Sequence, residues 1–132
     1  MPQPLPLATS WEMILVYFKR RRYVRVINES MIPTLYPGDI VVLHEGAYRQ
    51  RKPYPNDIVV ANHPDPTQPR LIKRIQSRTA DNRYFLISDN ITLPESRDSR
   101  AYGAFPLHAI VGQITSKLPV SYTHLTLPTN GT

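Results

Sequence analysis

Proline is the feature that most restricts how this chain can fold, because 14 of its 132 residues are proline and they are spread along its length. Each proline fixes the backbone angle φ at about −65° and lacks the N–H group that a residue inside a helix donates. Turns such as Tyr36-Pro37-Gly38 and Tyr54-Pro55-Asn56 therefore interrupt the chain. Long interior helices are disfavoured, and short elements are expected.

Short apolar runs separated by Pro, Gly, Asn and Asp predict β-strands. The predicted strands are residues 23–27, 39–44, 57–62, 70–76, 84–88 and 110–115. Strands at this spacing are typical of a sandwich or a barrel. A chain of 132 residues is long enough for one modest core. We therefore expect one domain that is mainly all-β.

The charge and the absence of cysteine restrict the possible chemistry. The chain has 16 Lys and Arg against 10 Asp and Glu, a formal net charge of +6. Such an excess suits nucleic acid, an anionic membrane or an acidic partner, and its sign alone does not choose among them. The aromatic residues and arginines form no recognisable nucleic-acid motif, so we expect no specific nucleic-acid partner. With no cysteine there is no disulfide, thiolate nucleophile or cysteine metal site, which suits a cytoplasmic location.

The amino-terminal segment, residues 1–22, is predicted to contain a short amphipathic helix. Its apolar positions between Trp11 and Phe18 recur at helical spacing, and Thr9 or Ser10 could cap the first turn. The run is too short to cross a membrane, which takes ~20 apolar residues. A secretory signal would carry its basic residues before the apolar stretch, whereas here they follow it. The helix is expected to dock on the domain or to rest on a membrane surface, making peripheral membrane contact possible.

Two residues stand out as candidates for nucleophilic catalysis. A serine hydroxyl needs a nearby base and a donor for the oxyanion, and Ser30 ends an apolar run just before the turn at Pro33. Lys73 interrupts the run 71–75, and strand alternation points it the same way as Leu71 and Ile75. Burial there would lower its pKa and supply a neutral amine as base. The alternative is an outward-facing lysine on an edge strand. No motif surrounds the histidines His44, His63 and His108.

Around these residues the chain resembles the signal peptidase I family, the serine/lysine proteases of the S26 type. The resemblance covers about residues 23–118 and is carried by ordered motifs at residues 30–35, 38–42, 72–75, 88–90 and 95–103. It implies a protease domain at residues 23–119 with a short amino-terminal helix. The implied fold is the small β-barrel or coiled β-ribbon that these enzymes share with self-cleaving repressors.

The resemblance also implies a role for each matching residue. Ser30 would be the nucleophile and Lys73 its base, while the N–H of Ser30 and the amide of Asn28 would bind the oxyanion. Asn28 stands where relatives carry glycine or serine. Ser96 would orient the lysine. Structural support of the site would come from Asp89, Asp98, Arg100 and Gly103. No metal or other cofactor is implied.

Several segments resemble the branch of nickel-type superoxide dismutase maturation proteases. They are residues 47–50, 55–61 and 63–64, together with the short link to Lys73. The expected function is a serine endopeptidase that removes an amino-terminal leader from the precursor of a nickel-containing superoxide dismutase. One alternative is processing of exported proteins at a membrane, as by a signal peptidase. Another is a self-cleaving regulatory module, although no helix-turn-helix pattern precedes Tyr23.

Residues 120–132 do not fit the pattern of the rest of the chain. Their sequence, Val-Ser-Tyr-Thr-His-Leu-Thr-Leu-Pro-Thr-Asn-Gly-Thr, resembles a sequencing adapter translated in frame. We interpret this segment as a non-native tail, and it enters no functional argument. The alternative is a natural polar, β-prone tail.

Overall fold

The fold is an antiparallel β-sheet. A computed structural model of the chain describes residues 3–11, 14, 21–93 and 97–119. The strands are β1 (Arg22–Arg25), β2 (Ile40–His44), β3 (Ile58–Ala61), β4 (Leu71–Arg78), β5 (Arg83–Ile87), β6 (Phe105–Pro106) and β7 (Ile110–Lys117). A four-residue helix, α1 (Ser99–Tyr102), and a 3-10 turn (Leu107–Ala109) lie between β5 and β7. The strands form one sheet in the order β1-β2-β7-β3-β4-β5-β6, curled into a half-barrel. The prediction of a mainly all-β fold is confirmed.

All six predicted strands are present, with ends that shift by one or two residues. The additional strand β6 has two residues and lies at the end of the sheet, where it pairs with β5 alone. One of its residues is Pro106, which has no N–H to donate to a second neighbour. An element so short, with a proline in it, leaves no periodic pattern in the sequence.

Apolar side chains cover both faces of the sheet. In β3, Ile58 and Val60 belong to one buried cluster, whereas the alternate residues Val59 and Ala61 belong to a second. Side chains two residues apart in a strand share a face, so the two clusters lie on opposite faces. The first cluster includes Met31, which directly follows Ser30. The polypeptide around Ser30 is therefore anchored in the core.

The connection between β1 and β2 carries Ser30 and closes with a tight turn. The N–H of Val26 donates to the Asp39 carbonyl, and the N–H of Gly38 donates to the Val26 carbonyl, both at 2.8 Å. Gly38 has φ of 94°, a conformation that favours glycine. The peptide bond between Ile32 and Pro33 is cis. The motif of Pro37, Gly38 and Asp39 thus begins β2 as the sequence predicts.

The amino-terminal residues run beside the end of β7. Leu7 forms a parallel bridge with Lys117, the N–H of Lys117 donates to the Pro6 carbonyl, and the N–H of Ala8 donates to the Lys117 carbonyl. Of the predicted helix, Ser10, Trp11 and Ile14 are helical, and the rest lies outside the described residues. The tail at 120–132 lies outside them as well. Within the described part of the chain, no helix is long and apolar enough to cross a membrane.

Candidate active site

Ser30 is held in place by the loop that follows β5. Its side chain is buried, with 2% exposed. The backbone N–H of Asn90 donates to the Ser30 carbonyl at 3.0 Å, and the Asn90 side-chain Nδ2 donates to the Glu29 carbonyl at 2.9 Å. One asparagine therefore fixes two consecutive peptide groups at the candidate nucleophile.

Lys73 lies in the interior of the sheet. It is opposite Val59 in β3, and its strand β4 is paired on both sides, with β3 and with β5. Leu71 and Ile75, two residues before and after it, belong to the second apolar cluster. Only 1% of Lys73 is exposed. The structure therefore places Lys73 inward, as alternation predicts, and not outward on an edge strand.

Burial changes the acid–base chemistry of Lys73. Removal of the ammonium group from water lowers the pKa of Lys73 from its ordinary value of 10.5 to about 8. The Asp98 carboxylate partly offsets this effect, while Arg97 and Arg100 lower the pKa further. A lysine with a pKa near 8 is neutral in a substantial fraction of molecules at mildly alkaline pH and can accept a proton.

A cavity of about 350 Å³ lies between Lys73 and the segment that leads into Ser30. Lys73 and Leu71 line one side of it, and Ile27 and Asn28 line another. The Ser30 N–H donates to Oδ1 of Asn28 at 3.1 Å. The polypeptide segment that carries Ser30 and the side chain of Lys73 thus border the same space, which is large enough to admit part of a peptide.

Asn28 acts as an acceptor in this structure. The backbone N–H of Ser30 is a donor, so the atom of Asn28 that meets it is the amide oxygen. The resemblance assigns both groups to the binding of an oxyanion, yet here they bind each other. For the Ser30 N–H to bind a substrate oxygen, that oxygen must take the place of Asn28 Oδ1.

A buried ion pair links β4 to the loop after β5, and a threonine from the connection that carries Ser30 joins it. Arg74 donates from Nε and from an Nη to the two carboxylate oxygens of Asp89, each at 2.9 Å. Thr34 donates its hydroxyl to Oδ2 of Asp89 at 2.6 Å. Arg74 also donates to the backbone carbonyls of Asn56 and Gln3. A bidentate pair with all of its partners in place is a strong and directional contact.

Asp98 forms a second buried anchor. Its carboxylate caps the start of α1 by accepting the N–H of Arg100, accepts the N–H of Ser88 at 2.9 Å, and binds the Arg100 guanidinium through both oxygens. Burial alone would raise the pKa of Asp98, but the hydrogen bonds from Arg100 and from the two backbone N–H groups lower it below its ordinary value. Gly103 ends α1 with φ of 77°.

The structure describes all but one of the predicted site residues and shows further residues around them. Ser96, the predicted lysine-orienting residue, lies outside the described residues. Thr34, Arg74 and Asn90 lie within the motifs, but the sequence assigns them no role. The one sequence feature that could have pointed to these three residues is their position within or next to a predicted motif. Across the described part of the chain, no group of three or more metal-ligating side chains converges.

His63 and Tyr102 also line the cavity, although no sequence motif surrounds His63. Nδ1 of His63 accepts the N–H of Asp65 at 2.9 Å. In a neutral imidazole the proton then lies on Nε2, which donates to the Tyr102 hydroxyl at 3.1 Å. No motif around His63 announces this pair, because its partner is 39 positions away.

Comparison with known proteins gives the family. The Peptidase S24-like family model matches residues 8–111, a span that includes Ser30, Lys73 and Asp98. The chain belongs to the Peptidase S24-like family. It is also similar to a signal peptidase I of Buchnera aphidicola subsp. Baizongia pistaciae (strain Bp), at 26% identity over 103 residues. That alignment covers 65% of this chain and 33% of the Buchnera protein.

The chain therefore spans about a third of the length of the curated relative that it matches. The family model and the name of the Buchnera relative both refer to peptidases. These two matches agree with the resemblance to S26-type enzymes, since all of these proteins are peptidases. Within this Peptidase S24-like domain, the cavity beside Lys73 is the candidate active site.

Proposed function

We propose that this Peptidase S24-like protein is a serine endopeptidase in which Lys73 is the general base for Ser30. The observation that carries the proposal is the burial of Lys73 in a cavity that also borders the Ser30 segment. Lysines are almost never fully buried without a reason, because the ammonium ion loses its hydration. Here that loss favours the neutral amine, which is the form that a serine nucleophile needs.

The proposed reaction has two halves. The neutral Lys73 amine takes the proton of the Ser30 hydroxyl as its oxygen attacks the scissile carbonyl carbon, and the resulting ammonium returns that proton to the departing amine. A water molecule then attacks the ester carbonyl of the acyl-enzyme, with Lys73 again receiving a proton. The carboxylic acid product leaves as the proton returns to the Ser30 oxygen, which restores both residues.

The oxyanion requires at least one preorganised donor. The Ser30 N–H is fixed near the cavity by its bond to Asn28 and by the two bonds from Asn90 on either side of it. When the substrate carbonyl displaces Asn28 Oδ1, the Asn28 amide becomes available to turn its NH2 group toward the same oxygen. Asn28 would then contribute the second donor.

The proposed substrate is a precursor from which an amino-terminal leader is removed, and the nickel-containing superoxide dismutase precursor is the first to test. Support comes from the similarity of residues 47–50, 55–61 and 63–64 to the maturation proteases of that enzyme. The experiment incubates purified protein with the dismutase precursor and identifies the new amino terminus by mass spectrometry. Ser30→Ala should be inactive, whereas Ser77→Ala, which alters an exposed serine of β4, should cleave normally.

Processing of exported proteins is a second candidate, favoured by the similarity to a signal peptidase I. The same assay with a precursor that carries a secretory signal, in detergent or lipid vesicles, separates the two. Cleavage of the exported precursor and not of the dismutase precursor would assign the second function. A cut within the chain itself during incubation alone, absent in Ser30→Ala, would instead assign self-cleavage.

A further inference from the structure

A second cavity adjoins the candidate active site. It has a volume of about 370 Å³, and His63 and Tyr102 line both cavities. The side chains of Pro64, Ala104 and Phe105 give the second cavity an apolar interior. None of the proposed catalytic residues lines it, so the chemistry of peptide cleavage leaves this space unexplained.

The wall between the cavities is a pair of aromatic side chains. The ring centroids of His63 and Tyr102 are 5.0 Å apart in an edge arrangement, and the hydrogen bond between Nε2 and the hydroxyl joins their tips. On its far side Tyr102 packs edge-on against Phe105, with centroids 6.4 Å apart. The two cavities are therefore separated by the rings of His63 and Tyr102.

The second cavity is preformed by contacts of the backbone. The N–H of Asn62 donates to the Ala109 carbonyl at 2.8 Å, and the N–H of Gly103 donates to the Ser99 carbonyl at 2.9 Å. Phe105 is 4% exposed and belongs to the second apolar cluster. A rigid apolar concavity binds an apolar side chain without first having to order itself.

We propose that the second cavity is a substrate subsite for a bulky apolar side chain, such as leucine or phenylalanine. The inference rests on the proposed peptidase function, and the occupant follows from continuity with the cavity beside Lys73. In an extended peptide, side chains on the same face are about 6.6 Å apart, enough to straddle the wall of His63 and Tyr102. The recognised residue then lies two or more positions from the residue that enters the Lys73 cavity.

The charge at the rim refines the specificity. Arg83 and His108 line the second cavity, and no carboxylate does among the described residues. Nε of Arg83 lies 3.5 Å from Oδ2 of Asp81, so the charge at the rim is partly compensated. A lysine or arginine side chain in the substrate is disfavoured because its charge would lose hydration in the apolar interior, where no carboxylate of the described residues lines the cavity. The subsite therefore selects apolar side chains against basic ones.

The first arm of the test measures cleavage specificity. A library of peptides is digested with the wild-type protein, and the cut sites are read by mass spectrometry. We expect enrichment of bulky apolar residues at one fixed position. Ala104→Trp, which fills the second cavity, should abolish that enrichment and lower kcat/KM about tenfold for the favoured peptides, leaving peptides with glycine there unchanged. Ala101→Trp, on the exposed side of α1, is the matched control.

A second variant tests the subsite in case Ala104→Trp does not fold. Ala104→Asp adds little volume but places a carboxylate in the apolar interior, and it should shift the preference from apolar toward basic residues. Cleavage by the wild type with no preference at any fixed position would overturn the subsite. So would a preference that survives in both folded Ala104 variants.

The second arm measures binding without cleavage, which separates failure of the subsite from failure of the proposed function. N-acetylphenylalaninamide is titrated into the Ser30→Ala protein, and the chemical shifts of Ala104 and the His63 ring are followed by NMR. Saturable shifts that Ala104→Trp removes and Ala101→Trp retains support the subsite even if no peptide is cut. Absence of binding, or binding unaffected by Ala104→Trp, refutes it even if peptides are cut.

Discussion

The burial of Lys73 predicts a pH-dependent cost to the stability of the fold. Its folded pKa is about 8 against an ordinary value of 10.5. At about 1.4 kcal/mol per pKa unit, protonation of Lys73 costs the folded state about 3 kcal/mol relative to the unfolded chain. Between these two pKa values the unfolded chain binds one proton more than the folded chain, so stability rises with pH across that window.

The perturbation that isolates this cost is Lys73→Met, which keeps an unbranched side chain but removes the amine. Unfolding by urea is measured for both proteins between pH 6 and pH 10.5. The free energy of unfolding of the Met variant, minus that of the wild type, should be constant below pH 8. It should then fall by about 3 kcal/mol as the pH rises to 10.5, because other titrating groups cancel in the difference.

Lys52→Met provides the matched control, since it makes the same substitution at an exposed lysine. A pH-dependent difference for Lys73→Met no larger than that for Lys52→Met would refute the assignment of a lowered pKa to Lys73. Activity provides an independent check on the same group. Below a midpoint near pH 8, kcat/KM should rise about tenfold per pH unit and then level off.

Three further predictions concern the site. Ser30→Ala and Lys73→Ala should each abolish cleavage with the fold intact by circular dichroism, and the double variant should be no less active than either. Full activity of the lysine variant would reject the mechanism. Asn28→Ala should lower kcat about 100-fold, because it removes an oxyanion donor. KM should stay equal or fall, because Asn28 no longer occupies the Ser30 N–H. An unchanged kcat would exclude Asn28 from the oxyanion site. Arg74→Leu should destabilise the protein by about 3 to 5 kcal/mol in urea, since it leaves Asp89 buried without its cation, and a loss below 1 kcal/mol would contradict this.

The strands and the direction of Lys73 could be predicted because both follow from local alternation. Leu71, Lys73 and Ile75 share a face in any regular strand. Burial of the lysine also depends on β3 and β5, which pair with β4 on both sides, and no window of the sequence around Lys73 contains that information. The alternation of residues predicts which way the Lys73 side chain points. The pairing of β4 on both sides determines that this side chain is buried and does not lie on an exposed edge strand.

Contacts over long sequence distances are the part of the site that the sequence could not reveal. Thr34 and Asp89 are 55 positions apart, and His63 and Tyr102 are 39 positions apart. Asn28 illustrates a different limit. Its side chain can donate or accept, and only the position of the Ser30 N–H shows that the oxygen faces it.

The alternation of β4 also explains how two distant halves of a catalytic site can be kept in register. Lys73 faces the cavity, while the next residue, Arg74, points to the opposite face and binds Asp89 through both carboxylate oxygens. The residue after Asp89 is Asn90, which binds the peptide groups of Glu29 and Ser30. A shift of β4 by one residue would turn Lys73 away from the cavity and break the Arg74 pair together. The buried ion pair therefore ties the position of the candidate base to that of the candidate nucleophile.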